Sequence, residues 1–69
     1  MNPALTPREL EVARLLSEGA RWKHVAAELG IAPRTVRAHV ERIFVKIGGQ
    51  GEKSRAVAVY YARTHPSHP

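Results

Sequence analysis

Apolar residues along the chain recur with helical spacing in four stretches, separated by short breaks that carry glycine or proline. The clearest stretch is residues 31–48, IAPRTVRAHVERIFVKIG. Within it Val36, Val40, Ile43, Phe44 and Ile47 follow one another at steps of four, three, one and three, the period of a single buried helix face. Pro33 stands at the first helical position, where its fixed φ suits the helix and its missing N–H has no partner to lose. Gly48 and Gly49 follow the last apolar residue, as a helix C-terminus requires. The pattern predicts a helix over 33–47, whose first two turns set Arg34, Arg37, Ala38 and Glu41 on the face opposite the apolar one.

Three further helices follow from the same reasoning. In Thr6-Pro7-Arg8-Glu9, threonine can cap, proline takes the first helical position and the glutamate three residues on completes a capping box. That helix runs from 7 to about 18, with Leu10, Ala13 and Leu16 or Ser17 on one stripe, Val12 and Leu15 widening it, and Gly19 ending it. A shorter helix over 21–29 buries Val25, Ala26 and Leu29 and ends at Gly30, although Arg21 is not a capping residue. Ile31 and Ala32 lead directly into 33–47, which makes a helix-turn-helix, and the small Ala26 and Ala27 suit a close approach of its two helices. After the connector 48–51 comes a fourth helix, 53–64, with AVAVYYA at its centre. Valine and tyrosine favour strands, but an isolated strand would have no partner, so the helix is preferred. It has more apolar residues than one face needs: Ala56, Val59 and Tyr60 face inward and Val57, Tyr61 and Thr64 outward, or the reverse. The expected organisation is an all-α, four-helix domain over 5–64, with a disordered arm at 1–4 and a disordered tail at 65–69.

At 69 residues the chain holds one small domain, and without cysteine it has no disulfide or thiolate metal site to brace it. The N-terminus lacks a secretory pattern, and the longest apolar run, 56–62, is far too short to span a bilayer, so a soluble cytoplasmic protein is the default. The four histidines have no metal-ligand spacing. No serine, histidine and acid set suggests nucleophilic catalysis, and 48–51 follows no strand as a phosphate loop would. The sequence therefore reads as a non-enzyme needing neither metal nor cofactor. Lys and Arg number 11 against 6 Asp and Glu, a net charge of +5, so a polyanion is the natural partner unless the basic surface is idle. With two arginines, a small residue and a carboxylate on its free face, helix 33–47 reads as a DNA recognition helix.

Three motifs sharpen this. LTPRELEVARLLSEG at 5–19, VAAELGIAPRTVRAHVERIFVKIG at 25–48 and KSRAV at 53–57 resemble the C-terminal DNA-binding domain of LuxR-type regulators, shared by GerE and by NarL/FixJ-type response regulators. The resemblance implies a transcription regulator that inserts its third helix in the major groove of double-stranded DNA. It implies Arg37, Ala38 and Glu41 as base readers. The chemistry agrees, because an arginine fork grips guanine O6 and N7, an alanine lets the helix sit deep, and a carboxylate accepts from a cytosine amine. Donors placed for phosphate are Arg21, Trp22 through its indole N–H, Lys23, His24, Arg34, Thr35, His39, Arg42 and Lys46. The resemblance also implies a homodimer on a near-palindromic site through the fourth helix, with Val57, Tyr60, Tyr61 and Thr64 at its interface. The chain departs from the family pattern in having Arg21-Trp22 at the head of the second helix, Ala32 in place of a Ser or Thr cap, and a longer, glycine-rich last loop. Two other readings compete: a sigma-factor region-four module, which would touch RNA polymerase, and a protein-interaction module whose basic face is idle.

Overall fold

Thr6 opens the first helix, α1 (Pro7–Ser17), through the expected reciprocal cap. Its Oγ1 accepts from the Glu9 N–H at 3.1 Å, and the Glu9 carboxylate accepts from the Thr6 N–H at 2.9 Å. The computed structural model describes residues 4–66, and α2 (Trp22–Leu29), α3 (Pro33–Lys46) and α4 (Lys53–Thr64) complete the helices among them. Residues 1–3 and 67–69, most of the expected arm and tail, lie outside the described residues. Ala4 is described and its carbonyl accepts from Lys46 Nζ at 3.2 Å, while the His65 ring stacks on Tyr61 with centroids 4.3 Å apart.

The segment whose valines and tyrosines favour a strand is helical because both its start and its neighbours support a helix. Glu52 caps α4 by accepting from the N–H groups of Ser54 and Arg55 at 3.2 and 2.7 Å. α4 lies mainly against α1, and α2 mainly against α3. The core between them consists of Val12, Ala13, Leu15 and Leu16 of α1, Val25 and Ala26 of α2, Val36, Val40 and Ile43 of α3, and Val57 of α4. Leu29, Phe44, Ile47 and Tyr61 pack on its edge. Two expectations shift. Leu10 is only half-buried, because the inward stripe of α1 passes through Glu9, and Ala27 is exposed, so of the two alanines only Ala26 joins Val25 in the contact of α2 with its neighbours.

The turn that makes α2 and α3 a helix-turn-helix rests on Gly30, whose φ of +66° is the left-handed conformation that a side chain resists. From it the Ile31 N–H reaches back to the Ala26 carbonyl at 3.0 Å, the long bond of a Schellman closure. α3 ends in the same motif, with the Gly49 N–H on the Phe44 carbonyl at 2.9 Å. Gly49 also has a steric role, since a Cβ there would lie 2.7 Å from the Phe44 ring. α3 is thereby fixed at both ends relative to the core.

Glu9 adds a third attachment. It is 2% exposed, and its carboxylate accepts from Lys46 Nζ at 2.7 Å, joining the start of α1 to the end of α3. Burial pushes the Glu9 carboxyl upward, but the Lys46 ammonium and the Thr6 donors outweigh it and hold the group below the usual carboxylate range.

Candidate nucleic-acid interface

α3 has one face fully enclosed, through Val36, Val40 and Ile43, and the other open. On the open face Arg34, Thr35, Arg37 and Arg42 are exposed, with Ala38 and Glu41 half-buried among them. The three expected base readers therefore share one side of one helix. Arg37 and Glu41 are also in contact, Arg37 Nε donating to Glu41 Oε2 at 3.2 Å. Ala38, Glu41, Arg42, Val45 and Lys46 line a shallow open groove of about 500 Å³ along this face. Val45, 77% exposed, was missed as part of it, although its spacing of seven from Ala38 puts it on the same stripe.

A second basic group lies at the head of α2. Arg21, Lys23 and His24 are exposed and, with Leu15, Glu18, Gly19 and Ala20, line an open depression of about 530 Å³ between the end of α1 and the start of α2. Among the described residues, the side chains of Arg21, Lys23, His24, Arg34 and Arg42 make no ion pair or hydrogen bond within the domain, unlike Arg8, Arg14 and Arg37, which pair with Glu11, Glu18 and Glu41. The caps divide in a parallel way. α1 and α4 begin with side-chain caps, whereas α2 behind Arg21 and α3 behind Ala32 have none, so the first-turn N–H groups of α2 are open to an outside acceptor; in α3 only that of Arg34 is, because Pro33 has none and the Thr35 N–H donates to the Ala32 carbonyl at 2.9 Å.

Five residues depart from what was expected of them. The Trp22 indole N–H is not free for phosphate, because it donates to Ser54 Oγ at 2.6 Å and ties the head of α2 to the first turn of α4. Lys46 turns its ammonium inward to Glu9 and the Ala4 carbonyl. His39 is half-buried with Nδ1 enclosed and unpartnered among the described residues, which leaves Nε2 as its only nitrogen for an outside contact. Val57 is wholly buried in the core and cannot meet a second copy, so α4 adopts the reverse of the first arrangement considered except at Thr64, which is exposed. Val59, 41% exposed, and the half-buried Ala56 and Tyr60 face outward beside exposed Thr64, while Tyr61 packs on the core. With Ile47, Gly49 and Arg63, the outward set lines an open groove of about 510 Å³.

The Trp22 contact has a direct consequence. Trp22→Phe keeps the packing and removes one hydrogen bond, so urea unfolding followed by circular dichroism should show a loss of about 0.5–1.5 kcal/mol. DNA affinity should be unchanged; a loss of affinity without loss of stability would restore the indole as a phosphate donor.

A tight turn joining two helices over a small core, with a basic, outward-facing second helix, defines a helix-turn-helix DNA-binding domain. The comparison with known proteins gives the same class: residues 3–62 match the family described as bacterial regulatory proteins, luxR family. The chain belongs to this family, a non-enzymatic one of DNA-binding transcription regulators. It is 44% identical over 56 residues to the spore germination protein GerE of Bacillus subtilis, a match covering 81% of this chain and 74% of GerE. Against the transcriptional regulatory protein UhpA of Escherichia coli it is 46% identical over 44 residues, 64% of this chain and 22% of UhpA. A Mycobacterium tuberculosis protein described as an HTH-type transcriptional regulator is 44% identical over 45 residues, 65% of this chain but only 5% of that protein. The chain thus spans a small part of the longer regulators it matches. No solved structure matches it with significance. Among the described residues, no helix is long and apolar enough to cross a membrane.

Proposed function

We propose that this domain reads a specific double-stranded DNA site by placing α3 in the major groove, in the cytoplasm of a bacterial cell. The observation that carries the proposal is the two-sidedness of α3. Val36, Val40 and Ile43 are wholly buried, so the helix cannot rotate, and the strip Arg34, Arg37, Ala38, Glu41 and Arg42 is held outward. Arg37 supplies the fork for guanine O6 and N7, Ala38 lets the helix approach closely, and Glu41 stands beside Arg37 at the base edges. Phosphates are met by the unpaired Arg21, Lys23, His24, Arg34 and Arg42, by Thr35, by His39 through Nε2, and by the open N–H groups at the head of α2 together with that of Arg34 in α3.

Two copies bind together through the outward stripe of α4, Ala56, Val59, Tyr60 and Thr64, on a site with two-fold symmetry. The apolar lining of the groove there and the exposure of Val59 support this contact.

Selection of sites from a randomised duplex pool at near-physiological salt tests both parts. The expected result is a two-fold consensus with half-sites about one helical turn apart or less. A single unpaired half-site would keep the groove reading and remove the dimer. No enrichment, with only weak salt-sensitive binding, would remove sequence reading and favour a protein-interaction module. On the selected site, Arg37→Ala should cost ~1–3 kcal/mol and relax preference at one base pair. An unchanged preference would exclude Arg37 as a reader.

A further inference from the structure

Glu41 is a carboxylate on a face meant for a polyanion, where it weakens binding to any phosphate backbone. Its surroundings give it a use. Glu41 Oε2 lies 3.2 Å from Arg37 Nε on its own helix and 3.9 Å from Lys53 Nζ at the start of α4. Lys53 is the first residue of α4, where the helix dipole disfavours a positive charge, and its ammonium also lies 5.8 Å from the Phe44 ring centroid. One carboxylate therefore gathers two cations from two helices at the edge of the reading face.

We propose that Glu41 is a specificity-determining positioning residue: by holding Arg37 at Nε and bridging to Lys53, it reserves the Arg37 fork for a guanine and withholds both cations from generic phosphate contact. This rests on Arg37 reading a base. The pair engages Nε, so both terminal nitrogens of Arg37 stay free among the described residues. An end-on grip of guanine O6 and N7 uses those two nitrogens and leaves the Glu41 contact intact. A phosphate contact in a non-specific complex draws the guanidinium toward the backbone and brings the carboxylate near a second negative charge. Glu41 thus disfavours the wrong complex more than the right one, which is how repulsion produces discrimination.

The test compares wild type, Glu41→Gln, Lys53→Met and Arg37→Ala on the selected site and on an unrelated duplex of equal length, across a range of salt. Glutamine keeps the shape and removes the charge. On the unrelated duplex Glu41→Gln should tighten binding roughly two- to five-fold, the worth of an exposed pair. Its salt dependence should steepen by up to about 1.8 in log–log slope, about 0.9 for each of the two cations that then reaches a phosphate. On the selected site affinity should hold or fall, so the ratio of specific to non-specific binding drops. Lys53→Met should leave the base preference of Arg37 in place and lower the slope on the unrelated duplex only when Glu41 is already glutamine. Glu41→Gln with unchanged affinity and slope on the unrelated duplex would overturn the proposal. So would a changed preference at one base pair without tighter non-specific binding, since Glu41 would then read a base directly. If instead Arg37→Ala leaves the preference intact, the reading of α3 itself fails, an outcome that the Glu41 data do not mimic.

Discussion

Ile43→Ala should bring the domain close to unfolding at room temperature. Ile43 is the largest wholly buried side chain among the described residues, in the middle of α3 and in one core cluster with residues of the other three helices. Truncating such a residue costs ~2–5 kcal/mol, the lost transfer energy plus the cavity left behind. The whole domain has roughly 3–10 kcal/mol of stability at ~0.05–0.15 kcal/mol per residue, so the loss takes a large share of it. Urea unfolding followed by the fluorescence of the single tryptophan, Trp22, measures this directly. Ile43→Val, which removes one methylene, should cost about 0.5–1.5 kcal/mol by the same measurement. DNA binding by Ile43→Ala should weaken in proportion to the unfolded fraction and recover on cooling or with added operator, because Ile43 lies behind the reading face rather than on it. A cost below about 1 kcal/mol would mean that the core around α3 closes over the gap, and α3 would then not be rigidly set.

Much of this arrangement is written locally in the chain. The start of α1 follows from four consecutive residues, and the ends of α2 and α3 from single glycines, because capping and left-handed turns are decided within one turn of helix. The buried face of α3 follows from its spacing, since valine and isoleucine alternate cleanly there with arginine and glutamate. α4 was ambiguous for the opposite reason. Alanine, valine and tyrosine surround it, and only the neighbouring helices decide that Val57 points inward and Val59 outward. Contacts distant in sequence left no local trace. Trp22 finds Ser54 across 32 positions and Lys46 finds Glu9 across 37, so both looked like free surface donors when read in place. Lys53 and Val45 give no signal of their place beside the open face of α3, because each belongs to a pattern, a helix start or an apolar residue, that usually has another explanation.

Lys46→Met should be the second large loss, and its dependence on pH identifies its origin. Methionine preserves the apolar stem of Lys46 but leaves the Glu9 carboxylate enclosed without its cation. Removing one partner of a buried pair costs ~3–5 kcal/mol, and because Lys46 is about a third exposed we expect the lower figure of ~1–3 kcal/mol at pH 7. In the native domain the folded-state pKa of Glu9 lies below its unfolded value. Its ionised form therefore contributes stability that is complete above the unfolded pKa and is lost as pH falls through the folded one. In the variant the largest influence left is burial, which favours the neutral acid and moves the pKa of Glu9 upward. The two stability curves should thus be far apart at neutral pH and converge in acid, where Glu9 is protonated in both proteins. Urea melts at several pH values between 7 and 3 check this, and a gap that stays constant across the range would assign the loss to packing instead. The same variant settles the position of Lys46 relative to DNA. With its ammonium on Glu9, the salt dependence of binding should match wild type. A slope shallower by about 0.9 would return Lys46 to the phosphate backbone.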